Sequence, residues 1–325
     1  MTSDDVARLT ISSGALEGKD KLDEFRETFG RSVLKIEIDP LNDMPLDIEM
    51  SVRALPGLAI ASGLVSAMRV RHIAKLADND DVVLVVMHAG EAEFTQAGRN
   101  AIVRSGEGIL TANGEPGAFI QPESASVTNF RLSRAALSNS VVDLDRAIAR
   151  VVPARHAALR LLAAYSSVLN DQQELETAEL RRAFVTHMHD LAALAVGATP
   201  EAAEAARRGG LRAARLQAIK ADILAHLAQA DLSIDAVARR QGLSTRYVGL
   251  LFAADHTTFT DFVLDRRLAQ AYRALTDWRF AARKISLIAL ESGIGDLSYF
   301  NRTFRRRYGM TPSDVRRRAW DNGGG

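Results

Sequence analysis

The sequence predicts a mixed α and β protein of more than one domain: a β sandwich or barrel with a helical pair, then an all-α domain built on two helix-turn-helix units. Three observations predict it. Residues 45–54 alternate strictly, with Leu46, Ile48, Met50 and Val52 on one side and Asp47, Glu49, Ser51 and Arg53 on the other, the period of a half-buried strand. From residue 153 onward the apolar period lengthens to that of helices. Charge divides along the chain as well: residues 211–325 hold 19 Lys and Arg against 11 Asp and Glu, a net of +8, while the remainder nets −7. The overall +1 therefore conceals a basic third joined to an acidic two-thirds, a division that favours a polyanionic partner on the basic side. At roughly 150 residues per domain, a chain of 325 is long enough for two.

The first thirty residues are polar, with a short helix expected over residues 20–29. After the alternating strand, residues 82–87 form a continuous apolar run of strand length. Further strands are expected over residues 67–73, 92–96, 100–104, 108–112, 118–121 and 126–132. Turn signals separate them at Ala97-Gly98-Arg99-Asn100, Gly106-Glu107-Gly108 and Asn113-Gly114. Short strands at this spacing suit a small sandwich or barrel. Helical spacing then runs over residues 153–169 (Leu159, Leu162, Tyr165, Leu169) and 177–196 (Leu180, Phe184, Met188, Leu191, Leu194). The polar break between them makes an antiparallel pair. Residues 197–210, with Thr199-Pro200 and Gly209-Gly210, read as a linker, and everything beyond is helical.

Composition removes several classes of function. There is no cysteine, which excludes disulfides, thiolate catalysis and Cys-ligated zinc. Residues 1–5 lack the basic and then apolar regions of a signal peptide, and the apolar run over residues 54–68 is too short to span a bilayer and contains Pro56, Gly57 and Gly63. The cytoplasm is the expected compartment, with no membrane partner.

The helical part contains a degenerate repeat. Ala238 stands four residues before Gly242 and Ala289 four before Gly293; Phe252 and Phe304 follow the alanines by 14 and 15 residues. A helix-turn-helix explains these choices. A small Ala lets two helices approach, a Gly ends the first in the left-handed conformation, and Ser244 or Asp296 caps the second. On a helical wheel, Leu297, Phe300, Phe304 and Tyr308 form the anchoring face of the second recognition helix. Ser298, Tyr299, Arg302 and Arg306 lie opposite, with Arg305 nearby, as insertion into a major groove requires. Arg302 is the candidate for bidentate reading of a guanine edge, and Arg305, Arg306 and Arg307 are placed to hold phosphates. In the first unit Tyr247, Val248, Leu251 and Phe252 anchor the helix. Arg246, Gly249, Leu250 and Ala253 face out, with Ser244 and Thr245 at the phosphate-facing start. Arg246 and Leu250 are the base-contacting candidates there; Leu250 can touch a thymine methyl but cannot hydrogen-bond a base edge. Readout is therefore expected to be unequal between the two units.

Over residues 211–318 the chain resembles the AraC/XylS family of transcription regulators. The stretch Gly293-Ile-Gly-Asp-Leu-Ser-Tyr-Phe-Asn-Arg-Thr-Phe-Arg-Arg-Arg-Tyr-Gly-Met-Thr-Pro-Ser-Asp-Val-Arg316 carries most of the likeness. Residues 259–268 with Ala271 and Leu275 look like the connecting helix of that family. His256 departs from it, standing where the family usually has Gly. The resemblance implies a sequence-specific activator on double-stranded DNA, with each subunit reading two major grooves about 34 Å apart. It also implies RNA polymerase as a partner. It divides the chain into a cupin-like β-barrel regulatory domain (1–196) that binds a small-molecule effector, a linker (197–210) and a DNA-binding domain (211–320). The helical pair over 153–196 is the expected homodimer interface; covering the barrel is the other use for its apolar stripes.

Two competing readings remain open at this level. In one, the N-terminal domain only dimerises and no ligand is bound. In the other, a cupin-type enzyme is fused to a DNA-binding module. Against the latter, residues 35–137 hold only His72 and His88, without the clustered His-x-His and carboxylate of a cupin metal site. His187 and His189, two apart on a helix, point to different faces. No nucleophile elbow or phosphate-binding glycine loop is present. No catalytic residue, metal site or cofactor is therefore expected. The effector site itself stays unassigned. Both tryptophans, Trp278 and Trp320, lie in the C-terminal part, which favours a small apolar or carboxylated ligand over a sugar, and Arg69, Arg71 and Arg104 are the cations that could meet a carboxylate.

Overall fold

Alternation and short turns make the N-terminal half a stack of antiparallel strands. The computed structural model describes residues 7–12, 36–41, 46–73, 79–166, 175, 177–229 and 231–321, in two compact units divided between Arg215 and Leu216. The helix expected over residues 20–29 and most of the polar break before Thr177 lie outside the described residues.

In the first unit one sheet has seven strands. They are β1 (Ala7–Ser12), β3 (Ile48–Leu55), β4 (Leu58–Val65), β11 (Ala125–Leu132), β6 (Val82–Ala89), β9 (Gly108–Ala112) and β12 (Val151–Val152), in that spatial order. The other has five: β2 (Glu37–Pro40), β5 (Met68–His72), β10 (Gly117–Gln121), β7 (Glu91–Gln96) and β8 (Arg99–Arg104). Among the described residues the pairings between these strands are antiparallel. The sandwich or barrel expected from the sequence is here two hydrogen-bonded sheets stacked on each other. At one edge β12 is only two residues long and pairs with β9 alone. A core drawn from both sheets, including Ile38, Met50, Met68, Val70, Met87, Phe94 and Val127, lies between them.

Strand β4 was not legible as a strand. Its inward residues are Ala59, Ala61, Gly63 and, at its end, Val65, and the first three are too small to mark a hydrophobic period. Gly63 is obligatory there, because a Cβ would lie 1.9 Å from the Glu49 carbonyl oxygen.

The outer face of the seven-stranded sheet is covered by helices: α1 (Arg134–Ser138), α2 (Leu144–Ala147), α3 (Ala157–Tyr165) and α4 (Ala178–Val196). Leu58, Ile60, Leu84 and Phe130 of the sheet meet Leu159, Leu162, Phe184, Met188 and Leu191 of α3 and α4 in one cluster. Leu159, Leu162, Tyr165, Phe184, Met188 and Leu191 of the stripes expected at a dimer interface are buried within the subunit, since a sheet face of this composition needs a cover, whereas Leu180 is 48% exposed and Leu169 lies outside the described residues. Within the pair, the Tyr165 and Phe184 rings lie 5.0 Å apart.

The segment expected as a linker is largely helical. Thr199 caps α5 (Pro200–Arg208), with Pro200 in its first turn, and α6 (Gly210–Ala225) begins two residues after α5 ends. Gly210 lies so close to α4 that a side chain there would stand 3.0 Å from the His187 carbonyl. The boundary between units falls inside α6.

The second unit contains α7 (Ile234–Gln241), α8 (Thr245–Ala254), α9 (Phe259–Thr276), α10 (Ile285–Glu291), α11 (Leu297–Tyr308) and α12 (Pro312–Asp321). It has two cores. Ile219, Ile223, Val237, Val248, Leu251, Phe252 and Phe262 form the first, and Leu268, Ala271, Ile288, Phe300, Phe304 and Val315 the second. The long α9 contributes to both.

Candidate nucleic-acid interface and ligand cavity

The two turns are built as their sequences require. α7 ends at Gly242 with φ +64°, and the Ser244 hydroxyl accepts the Tyr247 N–H at 3.2 Å to cap α8. α10 gives way to Gly293 at φ +83°, and Asp296 accepts the Tyr299 N–H at 2.9 Å to cap α11. Ala238 and Ala289 are both buried at the crossings. Arg267 on α9 joins the halves: it donates to the carbonyls of Leu227 at 3.0 Å and Gln229 at 2.7 Å. A Cβ on Gly293 would stand 2.6 Å from its Nε, so Gly293 also makes room for this strut. Burial pulls the Arg267 pKa down from its usual value.

On α11, Ser298, Arg302, Arg305 and Arg306 are exposed and Tyr299 is 37% exposed, while Phe300, Thr303 and Phe304 are buried. The Arg302 guanidinium lies 5.8 Å from the Tyr299 ring centre, an arrangement that stiffens both side chains on the outward face. Two expectations change. Leu297 is 41% exposed rather than an anchor, because it opens the helix beyond the reach of the core. Arg307 is held by Asp265 of α9 at 2.7 Å, so its charge is already matched within the unit.

On α8, Arg246 and Thr245 are exposed, Leu250 is 53% exposed, and Ala253 also faces out. A Cβ on Gly249 would meet nothing within 4 Å, which leaves that face open for close approach of a partner. Ser244 is exposed but its oxygen already serves the cap. His256 adopts φ +56°, the left-handed geometry that explains why Gly is usual at this place.

The first unit holds a cavity of about 450 Å³ between its sheets. Ile38, Met50, Met68, Val70, Phe94 and Phe119 are among its walls, with the small side chains of Ala54, Ala59 and Ala61 leaving the space. The Phe94 and Phe119 rings stack at 5.2 Å. The arginines expected to meet a carboxylate turn outward: Arg69 is exposed, Arg71 pairs with Glu37 at 3.1 Å and Asp39 at 2.9 Å, and Arg104 lies 3.7 Å from Glu91. His187 and His189 diverge as expected, to the Tyr165 hydroxyl at 3.0 Å and the Val185 carbonyl at 2.9 Å.

A double-sheet domain with an internal cavity and a second unit with paired helix-turn-helix turns define a two-part regulator architecture. Family models agree: one described as an AraC-binding-like domain matches residues 25–196, and one described as a helix-turn-helix domain matches residues 237–318. The chain belongs to the AraC family of transcription regulators. It is 38% identical over 161 residues to the transcriptional activator RhrA of Rhizobium meliloti (strain 1021), covering 50% of this chain and 49% of RhrA. The match thus spans about half the length of that relative. It is also 38% identical over 88 residues to the regulatory protein SoxS of Escherichia coli (strain K12), 27% of this chain and 79% of SoxS. Among solved structures, the AraC-like transcriptional activator CuxR aligns over 88% of this chain and 100% of its own, with 16% identity and a TM-score of 0.49.

Proposed function

We propose that this chain is a sequence-specific, DNA-binding transcription regulator that works as an effector-responsive activator in the cytoplasm. The observation that carries this reading is the tandem pair of capped turns with outward Arg246, Leu250, Ser298, Tyr299 and Arg302. These five contact bases in adjacent major grooves of double-stranded DNA; Ser244, Thr245, Arg305 and Arg306 position phosphates. Arg307 joins the phosphate set by exchanging its Asp265 partner. Residues 1–196 regulate, 211–320 bind DNA, and 197–210 connect them. The cavity between the sheets supports the effector-responsive reading over a domain that only dimerises, since an effector works by binding one state better than the other. Two subunits act together on DNA and recruit RNA polymerase; the activating role is the one that RhrA is named for.

Genome-wide mapping of bound DNA tests the reading and supplies the operator. The affinity for that operator should fall steeply with salt, because each neutralised phosphate releases counterions. Binding unchanged between about 50 and 200 mM salt would rule out the phosphate-gripping role of the basic unit.

A further inference from the structure

The two helix-turn-helix units have separate cores, so their mutual placement depends on what joins them. Helix α9 is shared. Phe259, Phe262 and Val263 pack in the first core, and Leu268, Ala271 and Leu275 in the second. At about 100° per residue these two sets lie on nearly opposite flanks of the helix, and Arg267 falls between them. Apolar burial against a common helix is non-directional, whereas hydrogen bonds have preferred angles and can fix how one unit is turned against the other.

Arg267 supplies such bonds. Its Nε donates to the Leu227 carbonyl at 3.0 Å and its Nη2 to the Gln229 carbonyl at 2.7 Å. Both carbonyls follow the end of α6, and the Leu227 side chain is buried in the first core, so these acceptors move with the first unit. The guanidinium also meets the turn of the second unit. A Cβ on Gly293 would stand 2.6 Å from Arg267 Nε and 2.8 Å from the Leu227 carbonyl oxygen, and Ile294 beside it is buried in the second core. Backbone of the first unit, guanidinium and backbone of the second therefore meet at one joint. The planar fork holds its donors in fixed directions, which a lysine cannot reproduce.

We propose that Arg267 is a positioning residue that fixes the angle and distance between the two recognition helices, and so the spacing in base pairs of the two DNA segments that the chain reads. The role rests on the DNA-binding reading. One base pair more or fewer turns the second groove by about a tenth of a turn relative to the first. A fixed joint cannot follow that rotation, whereas a loosened one can. Arg267 itself touches no base and acts through the placing of α8 and α11.

The test uses the full chain and a duplex that it enriches from a random-sequence pool, compared with the same duplex carrying one base pair more or one fewer between the two read segments. For the unaltered protein either change should weaken binding at least about tenfold, the scale of a mismatched base contact. For Arg267→Met that penalty should shrink to within about threefold, while the penalty for a single-base substitution inside a read segment, also about tenfold, stays as it was. Arg267→Lys, which keeps the charge and gives up the fork, should lie between the two. Urea unfolding followed by Trp fluorescence checks that each variant folds, and if Arg267→Met does not, Arg267→Lys carries the comparison. An undiminished spacing penalty in the folded variant would overturn the role, as would an equal loss for every duplex, which is what destabilisation alone produces. Failure to enrich any duplex would instead strike the DNA-binding reading, and this role with it.

Discussion

The two helix-turn-helix units share a scaffold and differ in the chemistry they present. Each buries an Ala at the helix crossing, turns through a left-handed Gly, caps its recognition helix with a side-chain oxygen and closes its core with a Phe. Outward, the first offers Arg246, an open Gly249, an exposed Leu250 and Ala253, whereas the second offers Ser298, Tyr299, Arg302, Arg305 and Arg306, with Arg307 held by Asp265. Packing and backbone geometry leave few ways to build the turn, so the scaffold repeats. The solvent face carries no such constraint and is free to specialise. Shared stability and unequal readout are the two halves of this comparison, and each can be broken separately.

The largest effects test the scaffold. Phe252 and Phe304 are fully buried, one in each core, and replacing either by Ala should cost about 3–5 kcal/mol. Both tryptophans lie in this unit, so urea unfolding followed by Trp fluorescence reads it selectively. A loss at one site several-fold smaller than at the other would show that the two cores are not equivalent.

Readout comes next in size. On the proposed assignment Arg302→Ala relaxes discrimination between operator variants by about 1–3 kcal/mol, while Leu250→Ala, which removes only an apolar contact, does less. Competition binding on single-base operator variants measures both. A larger effect from Leu250→Ala would reverse the assignment of the second unit as the main reader.

What the sequence makes legible follows the same division. The alternation of β3, the continuous run of β6 and the Ala-Gly-Phe repeat are local patterns, and the structure keeps them. β4 escaped because three of its inward residues are small: Ala59 and Ala61 border the cavity and Gly63 answers the close approach of the Glu49 carbonyl, so little apolar period is left to read. The helix in the expected linker has its signal in Thr199 before Pro200, but the paired glycines after it read as a break between domains, whereas Gly210 answers the closeness of α4. Arg307 meets Asp265 and Arg267 meets Leu227 across about forty residues, partners that no helical wheel can supply.

The smallest effect should differ in sign between the units. After each recognition helix the chain passes through left-handed geometry, at His256 with φ +56° in the first and Gly309 with φ +73° in the second. A side chain in that conformation costs about 1–2 kcal/mol, partly offset because a glycine there loses more freedom on folding. His256→Gly should therefore stabilise the unit by up to about 1 kcal/mol, and Gly309→Ala should destabilise it by about the same amount. No neighbouring atom lies within 4 Å of a Cβ at Gly309, so the loss there is purely one of backbone strain. Urea unfolding by Trp fluorescence again gives both numbers. If His256→Gly destabilised the unit, the exposed imidazole would have to make a contact worth more than the strain it carries, and the first unit would depart from the shared scaffold at its turn as well as on its face.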